Sequence, residues 1–210
     1  MGEIIFYTNP QSRGQTMRWM LEELGQPYET VILQYGTTMK SADYLAINPM
    51  GKVPAIRHGG QVVTECGAIC AYLADAFPQA GLAPPAGARG AYYRWMFFGA
   101  GPVESAIMDR YRKIEIPDEQ KVMVGYGSWQ DVVGALEKAV SASEWIAGDS
   151  FSAADVYAGA QIDWPLQFGM IEPTPALTAY VERLRARDAY KRAKAIDAAL
   201  VEEAKAAAGD

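Results

Sequence analysis

The stretch Asn48-Pro49-Met50-Gly51-Lys52-Val53-Pro54, running on through Ala55-Ile56-Arg57-His58-Gly59-Gly60-Gln61-Val62-Val63-Thr64, decides how the first part of the chain folds. Its first half is turn-rich. Its second half holds two short β-forming runs joined by Gly-Gly, which predicts a tight antiparallel hairpin. Glu65 to Ala76 then sets Ile69, Tyr72, Leu73 and Ala76 on one helical face, and Phe77-Pro78 ends that helix. The order here is strand, strand, helix.

Working upstream, Glu3 to Tyr7 is short, apolar and rich in β-formers, and it runs into Thr8-Asn9-Pro10-Gln11-Ser12. The Asn-Pro step disfavours helix at Asn9, so a turn follows the strand. From Arg13 to Leu24 the residues Met17, Met20, Leu21 and Leu24 recur at helical spacing, and Gly25 supplies the stop. Tyr28 to Leu33 favours a second strand, so the opening is a βαβ unit of the size a right-handed parallel crossover needs. The expectation is an α/β fold, βαβ then ββα, around a mixed four-stranded sheet.

Downstream, Gly81 to Gly90 carries Pro84-Pro85 and interrupts the periodicity as a linker would. Beyond it the patterns are helical: Ala88 to Ile114, Asp118 to Ala142, Ser152 to Gln167, Pro175 to Arg187 and Ala189 to Ala207. Ser152-Ala153-Ala154-Asp155 has the spacing of a capping box. The expected division is therefore 1–80, a linker at 81–87, and an all-helical domain at 88–210.

Half of the 210 residues are hydrophobic, enough for a substantial core. A net charge of −6 gives no basis for attraction to nucleic acid or to an anionic membrane. No apolar run approaches the roughly 20 residues needed to span a bilayer, and Met1 to Tyr7 lacks a basic start with an apolar core, so a cytoplasmic protein is expected. With two cysteines, Cys66 and Cys70, and one histidine, no metal is expected, and free thiols fit a reducing compartment.

Three motifs carry a family resemblance: Asn48-Pro49-x-Gly51-Lys52-Val53-Pro54-Ala55, Thr64-Glu65-Cys66-x-Ala68-Ile69-x-x-Tyr72-Leu73, and Ser152-x-Ala154-Asp155. At these separations, and with this order of elements, the chain resembles the cytosolic glutathione transferases over essentially its whole length. The resemblance implies a thioredoxin-like first domain that binds glutathione. Pro54 would be cis, presenting the N–H and C=O of Val53 to the glutathione peptide as an added strand would. Glu65 and Cys66 open a helix whose free N–H groups and dipole would receive the γ-glutamyl carboxylate, with Glu65 pairing the ammonium. The family usually places serine where Cys66 stands, so a good hydroxyl donor becomes a weak thiol donor. Lys52, and more loosely Lys40, would meet the glycyl carboxylate.

The thiol itself needs a donor, because a reference pKa near 8.5 leaves only a few per cent thiolate at neutral pH. The family keeps that donor at the end of the first strand or the start of the first helix. Four residues compete there. Asn9 lies where theta-like and delta-like members carry serine, and it is ranked first. Tyr7 resembles the tyrosine of the alpha, mu and pi classes. Ser12 is a nearby hydroxyl and also the natural cap of the first helix. Arg13 would lend positive charge.

A small hydrophobic electrophile is the implied second substrate, lying between the domains against Tyr92, Trp95, Met96, Phe98, Gly99, Val103 and Met108. Glu104, Asp109 and Arg110 would make that lining partly polar. The implied activity is conjugation of glutathione, or reduction by it, in a homodimer. Two alternatives stand beside it: a glutathione-dependent disulfide or peroxide reductase or dehydrohalogenase, and a non-catalytic protein-binding module on the same scaffold. Asn9 to Ser12 contains no cysteine, so redox chemistry by the protein's own dithiol is disfavoured.

Overall fold

The computed structural model describes residues 2–209. The chain divides into two compact units, Met1–Ala80 together with Arg187–Asp210, and Gly81–Ala186. The last helix therefore groups with the first unit, where the sequence placed it in the helical domain.

Unit 1 is built on a four-stranded sheet of order β2-β1-β3-β4. Strands β1 (Ile4–Thr8) and β2 (Tyr28–Ile32) run parallel, and α1 (Gly14–Leu24) joins them. Strand β3 (Ala55–His58) is antiparallel to β1, and β4 (Gln61–Thr64) is antiparallel to β3. Gly59 and Gly60 take φ of 57° and 82°, the left-handed pair that a two-residue hairpin turn requires. Helix α1 buries Met17, Met20, Leu21 and Leu24, and Gly25 closes it with its N–H on the Leu21 carbonyl. A short helix, α2 (Ala42–Leu45), precedes β3, and α3 (Cys66–Ala76) follows β4.

Unit 2 is helical: α4 (Gly90–Phe98), α5 (Glu104–Tyr111), α6 (Trp129–Ala142), α7 (Ala153–Gln167) and α8 (Pro175–Ala186). The single helix expected over 88–114 is interrupted by a π-helical turn at Gly99–Val103, where Pro102 has no N–H to donate. The helix expected from Asp118 begins instead at Trp129. Gly127, at φ 70°, and Ser128 end the irregular run, and the Ser128 hydroxyl caps α6 by accepting from the Asp131 N–H. Helix α7 lies at the centre, buried on nearly every face. Its small residues permit this: a Cβ on Gly159 would lie 2.5 Å from a Leu184 methyl.

The capping box at Ser152 and Asp155 is present as the spacing predicts. Asp155 is fully buried and accepts from four groups: the N–H of Ile146 at 2.8 Å, the Tyr180 hydroxyl at 2.9 Å, and the N–H and hydroxyl of Ser152 at 3.0 and 3.2 Å. One carboxylate thus fixes a helix start, the preceding loop and α8.

The remaining helix, α9 (Asp188–Ala208), packs on α1 within unit 1. Arg18 and Asp197, both almost wholly buried, pair with Nε to Oδ1 at 2.7 Å. Arg187 adds a forked contact to Glu23 at 2.6 and 2.8 Å, and the Trp19 and Tyr190 rings meet edge to face.

Candidate functional site

Strand register brings the predicted site residues together at one end of the unit 1 sheet. Tyr7 lies opposite Ala55, and Ala55 lies opposite Thr64. The segments that run off this row are therefore neighbours: Thr8–Arg13 from β1, Val53-Pro54 from the turn before β3, and Glu65-Cys66 after β4. A thiol contact closes the group, with Cys66 Sγ 3.9 Å from the Arg13 carbonyl oxygen.

The turn before β3 is held from several sides. The Lys52 carbonyl accepts from the Tyr44 hydroxyl at 2.6 Å and from Asn48 Nδ2 at 2.7 Å. Burial pushes the Tyr44 hydroxyl up to about 12, against a smaller downward pull from Asn48, so it stays a proton donor. Lys40 Nζ donates to the Met50 carbonyl at 2.9 Å, which carries its ammonium to this turn. Gly51, at φ 56°, admits no side chain, since a Cβ would sit 2.6 Å from the Met39 carbonyl oxygen. The Val53-Pro54 peptide is cis. Among the described residues, no hydrogen bond uses the N–H or C=O of Val53, so this edge is open to an extended peptide.

Across the hairpin, Glu65 holds φ 67° at the start of α3. No side chain caps this helix. The exposed Glu65 carboxylate pairs with nothing among the described residues, and it stands at the helix start, where the dipole favours a negative ligand group. Lys52 is exposed, also without an ion pair there, and Arg13 is exposed at the start of α1.

Three of the four competing residues, Asn9, Ser12 and Tyr7, differ sharply in what they already bind. Asn9, ranked first from sequence, is buried, with Nδ2 donating to the Leu33 carbonyl at 2.8 Å and Oδ1 accepting from the Gln11 N–H at 2.9 Å. One Nδ2 hydrogen has no acceptor among the described residues. Ser12 donates to the Asn9 carbonyl at 2.7 Å and accepts from the Gly14 N–H at 2.9 Å, so its hydroxyl organises the turn into α1. Tyr7 packs in a cluster with Leu33, Met39, Tyr44 and Ala55, against which Val53 also rests. Its hydroxyl has no hydrogen-bond partner among the described residues. Tyr44 and Asn48 were missed as supports, although Asn48 lies inside the quoted motif.

Of the residues expected to line the electrophile's site, Tyr92, Trp95, Met96, Gly99 and Val103 are buried in the core of unit 2. Phe98 is partly buried and Met108 exposed. Asp109 accepts from the Tyr126 hydroxyl at 2.8 Å, Glu104 from Gln161 at 3.3 Å, and Arg110 donates to the Met170 carbonyl at 3.0 Å. No group of three or more metal-ligating side chains occurs among the described residues, and no helix there is long and apolar enough to cross a membrane.

Comparison with known proteins identifies the family. Residues 6–81 match the model of the glutathione S-transferase N-terminal domain, and residues 103–188 match that of the C-terminal domain. Glutathione S-transferase A of Pleuronectes platessa is 29% identical over 189 residues, 82% of each chain. A glutathione transferase structure from Methylococcus capsulatus is 30% identical, with a TM-score of 0.77 over 93% of this chain and 98% of that one. A sphingomonad glutathione S-transferase complexed with glutathione is 29% identical, with a TM-score of 0.75 over 92% and 98%. The chain belongs to the glutathione S-transferase family.

Proposed function

We propose that the protein binds glutathione at this end of the sheet, stabilises its thiolate and transfers it to a small hydrophobic electrophile. The observation that carries the reading is the convergence of an open peptide edge at Val53, an uncapped helix start at Cys66 and an unpaired carboxylate at Glu65. These match a tripeptide with an ammonium and a carboxylate at its γ-glutamyl end. Lys52 and Lys40 would meet the glycyl carboxylate, and Arg13 would add positive charge near the thiol. The similar sphingomonad protein with glutathione bound supports the same ligand here.

For the thiolate, the donors in reach are those left unengaged at the end of β1: the Tyr7 hydroxyl and the second N–H of Asn9 Nδ2. Each unit by which they lower the thiol pKa corresponds to about 1.4 kcal/mol of preferential stabilisation of the anion. Ser12 contributes by shaping the turn. The protein would act as a cytoplasmic homodimer, as family members usually do.

The test is a pH titration of the glutathione complex, following the ultraviolet absorbance of the bound thiolate in the original protein and in Tyr7→Phe, Asn9→Asp and Ser12→Ala. The expected result is ionisation well below the free thiol's pKa, with Tyr7→Phe or Asn9→Asp raising it. An unshifted thiol, or no binding, overturns the reading.

A further inference from the structure

A continuous run of hydrogen-bonded amides links α9 to the turn after β1. Lys194 Nζ donates to Gln15 Oε1 at 2.8 Å. Gln15 Nε2 donates to the Pro10 carbonyl at 2.6 Å. The next N–H along that peptide, that of Gln11, donates to Asn9 Oδ1 at 2.9 Å, and Asn9 Nδ2 donates to the Leu33 carbonyl at 2.8 Å. Every amide in the run accepts at oxygen and donates from nitrogen in the same sense, and the cation stands at the accepting end. Hydrogen bonds arranged this way polarise one another, so the positive charge strengthens each N–H after it.

We propose that Lys194 is a positioning residue for the thiol, acting through Gln15 and the Pro10–Gln11 peptide on the amide of Asn9. The inference rests on the thiolate reading above. Its place in the fold suits the role. Lys194 and Gln15 are half-buried, while Pro10 and Asn9 are buried, which shields the run from competing water. The ammonium also lies 5.5 Å from the Tyr190 ring centroid and interacts with the Asp197 carboxylate. Helix α9 is itself fixed on α1 by the Arg18–Asp197 and Arg187–Glu23 pairs and by Arg192, whose Nε lies 3.0 Å from Glu22. The cation is therefore held at a set distance from the turn.

The experiment is the same bound-thiolate titration, applied to Lys194→Met, Lys194→Arg, Gln15→Glu and Asn9→Asp, with S-methylglutathione affinity measured alongside. Gln15→Glu keeps an acceptor for Lys194 but cannot donate to the Pro10 carbonyl. The expected result is that Lys194→Met and Gln15→Glu raise the bound thiol's pKa by about half a unit, roughly a threefold fall in the thiolate-to-thiol ratio at a given pH. Lys194→Arg restores the original value, and affinity for S-methylglutathione, which has no thiol to ionise, is unchanged. Lys194→Met should add nothing in the Asn9→Asp background and its full increment in the Tyr7→Phe background. If the original protein lowers the thiol pKa and Lys194→Met matches it, or if the increment persists beside Asn9→Asp, the relay is wrong and the functional reading stands. If the original protein itself leaves the thiol unshifted, both fall.

Discussion

Replacing Asp155 with alanine should cost unit 2 about 3–7 kcal/mol, the upper tail for a single substitution. The figure is built from what the carboxylate holds. The Ile146 N–H and the Tyr180 hydroxyl are both buried and both donate to Oδ1, and each left without an acceptor costs about 1–3 kcal/mol. Loss of the reciprocal cap at Ser152 adds about 1 kcal/mol. The methylene removed is small, so the polar terms dominate. Trp95, Trp129, Trp145 and Trp164 all lie in unit 2, so tryptophan fluorescence during urea unfolding reports chiefly on this unit. The expected result is a lower midpoint at unchanged slope, with a melting temperature down on the order of 10 °C. Ser141→Ala, which removes only an exposed hydroxyl bonded to the Glu137 carbonyl of its own helix, should change stability by less than about 0.5 kcal/mol. A loss below about 1 kcal/mol for Asp155→Ala would refute the claim that this one side chain ties three elements together.

Three further outcomes follow from the same geometry. Burial holds the Asp155 carboxyl above its ordinary value, outweighing its hydrogen bonds from Ile146, Tyr180 and Ser152. A raised carboxyl contributes stability that is fully present below about pH 3.9 and lost as pH rises through the folded value, so the advantage of the original protein over Asp155→Asn should shrink upward from about pH 4. An advantage that grows in that window contradicts it. Cys66→Ser replaces a weak thiol donor with a hydroxyl at the start of α3, and calorimetry should show glutathione binding about fivefold tighter, near 1 kcal/mol. Arg18→Met strands the buried Asp197 carboxylate and should cost about 3–5 kcal/mol in denaturant unfolding, most of it recovered when Asp197→Leu is added.

What was legible in the sequence was local. Gly59-Gly60 specifies its own turn, Ser152 and Asp155 specify their own cap, and the spacing of Met17, Met20, Leu21 and Leu24 marks a buried face without help from elsewhere. The open edge at Val53 and the helix start at Glu65 were expected from the family resemblance of their motifs, not from composition or spacing. The donor ranking was harder because it depends on distant partners. Asn9 donates to a carbonyl 24 residues away, and Gln15 is held by a lysine 179 residues away. Arg18 gave no sign of its burial, because its counter-ion Asp197 is equally remote. Helical periodicity alone ran through Gly125-Tyr126-Gly127-Ser128, where glycine conformation and a serine cap restart the helix.

The division of the chain has a consequence for its synthesis. Unit 2 is an insertion within unit 1, because Arg187–Asp210 joins Met1–Ala80. Translation is vectorial, so the sheet and α1 emerge first, while the helix that covers α1 is made only after all of unit 2. Until then Arg18 has no Asp197 beside it, and Trp19 has no Tyr190. The α1 face that α9 covers, with the Arg18 cation and the Trp19 ring on it, stays uncovered while the ribosome completes the intervening hundred or so residues.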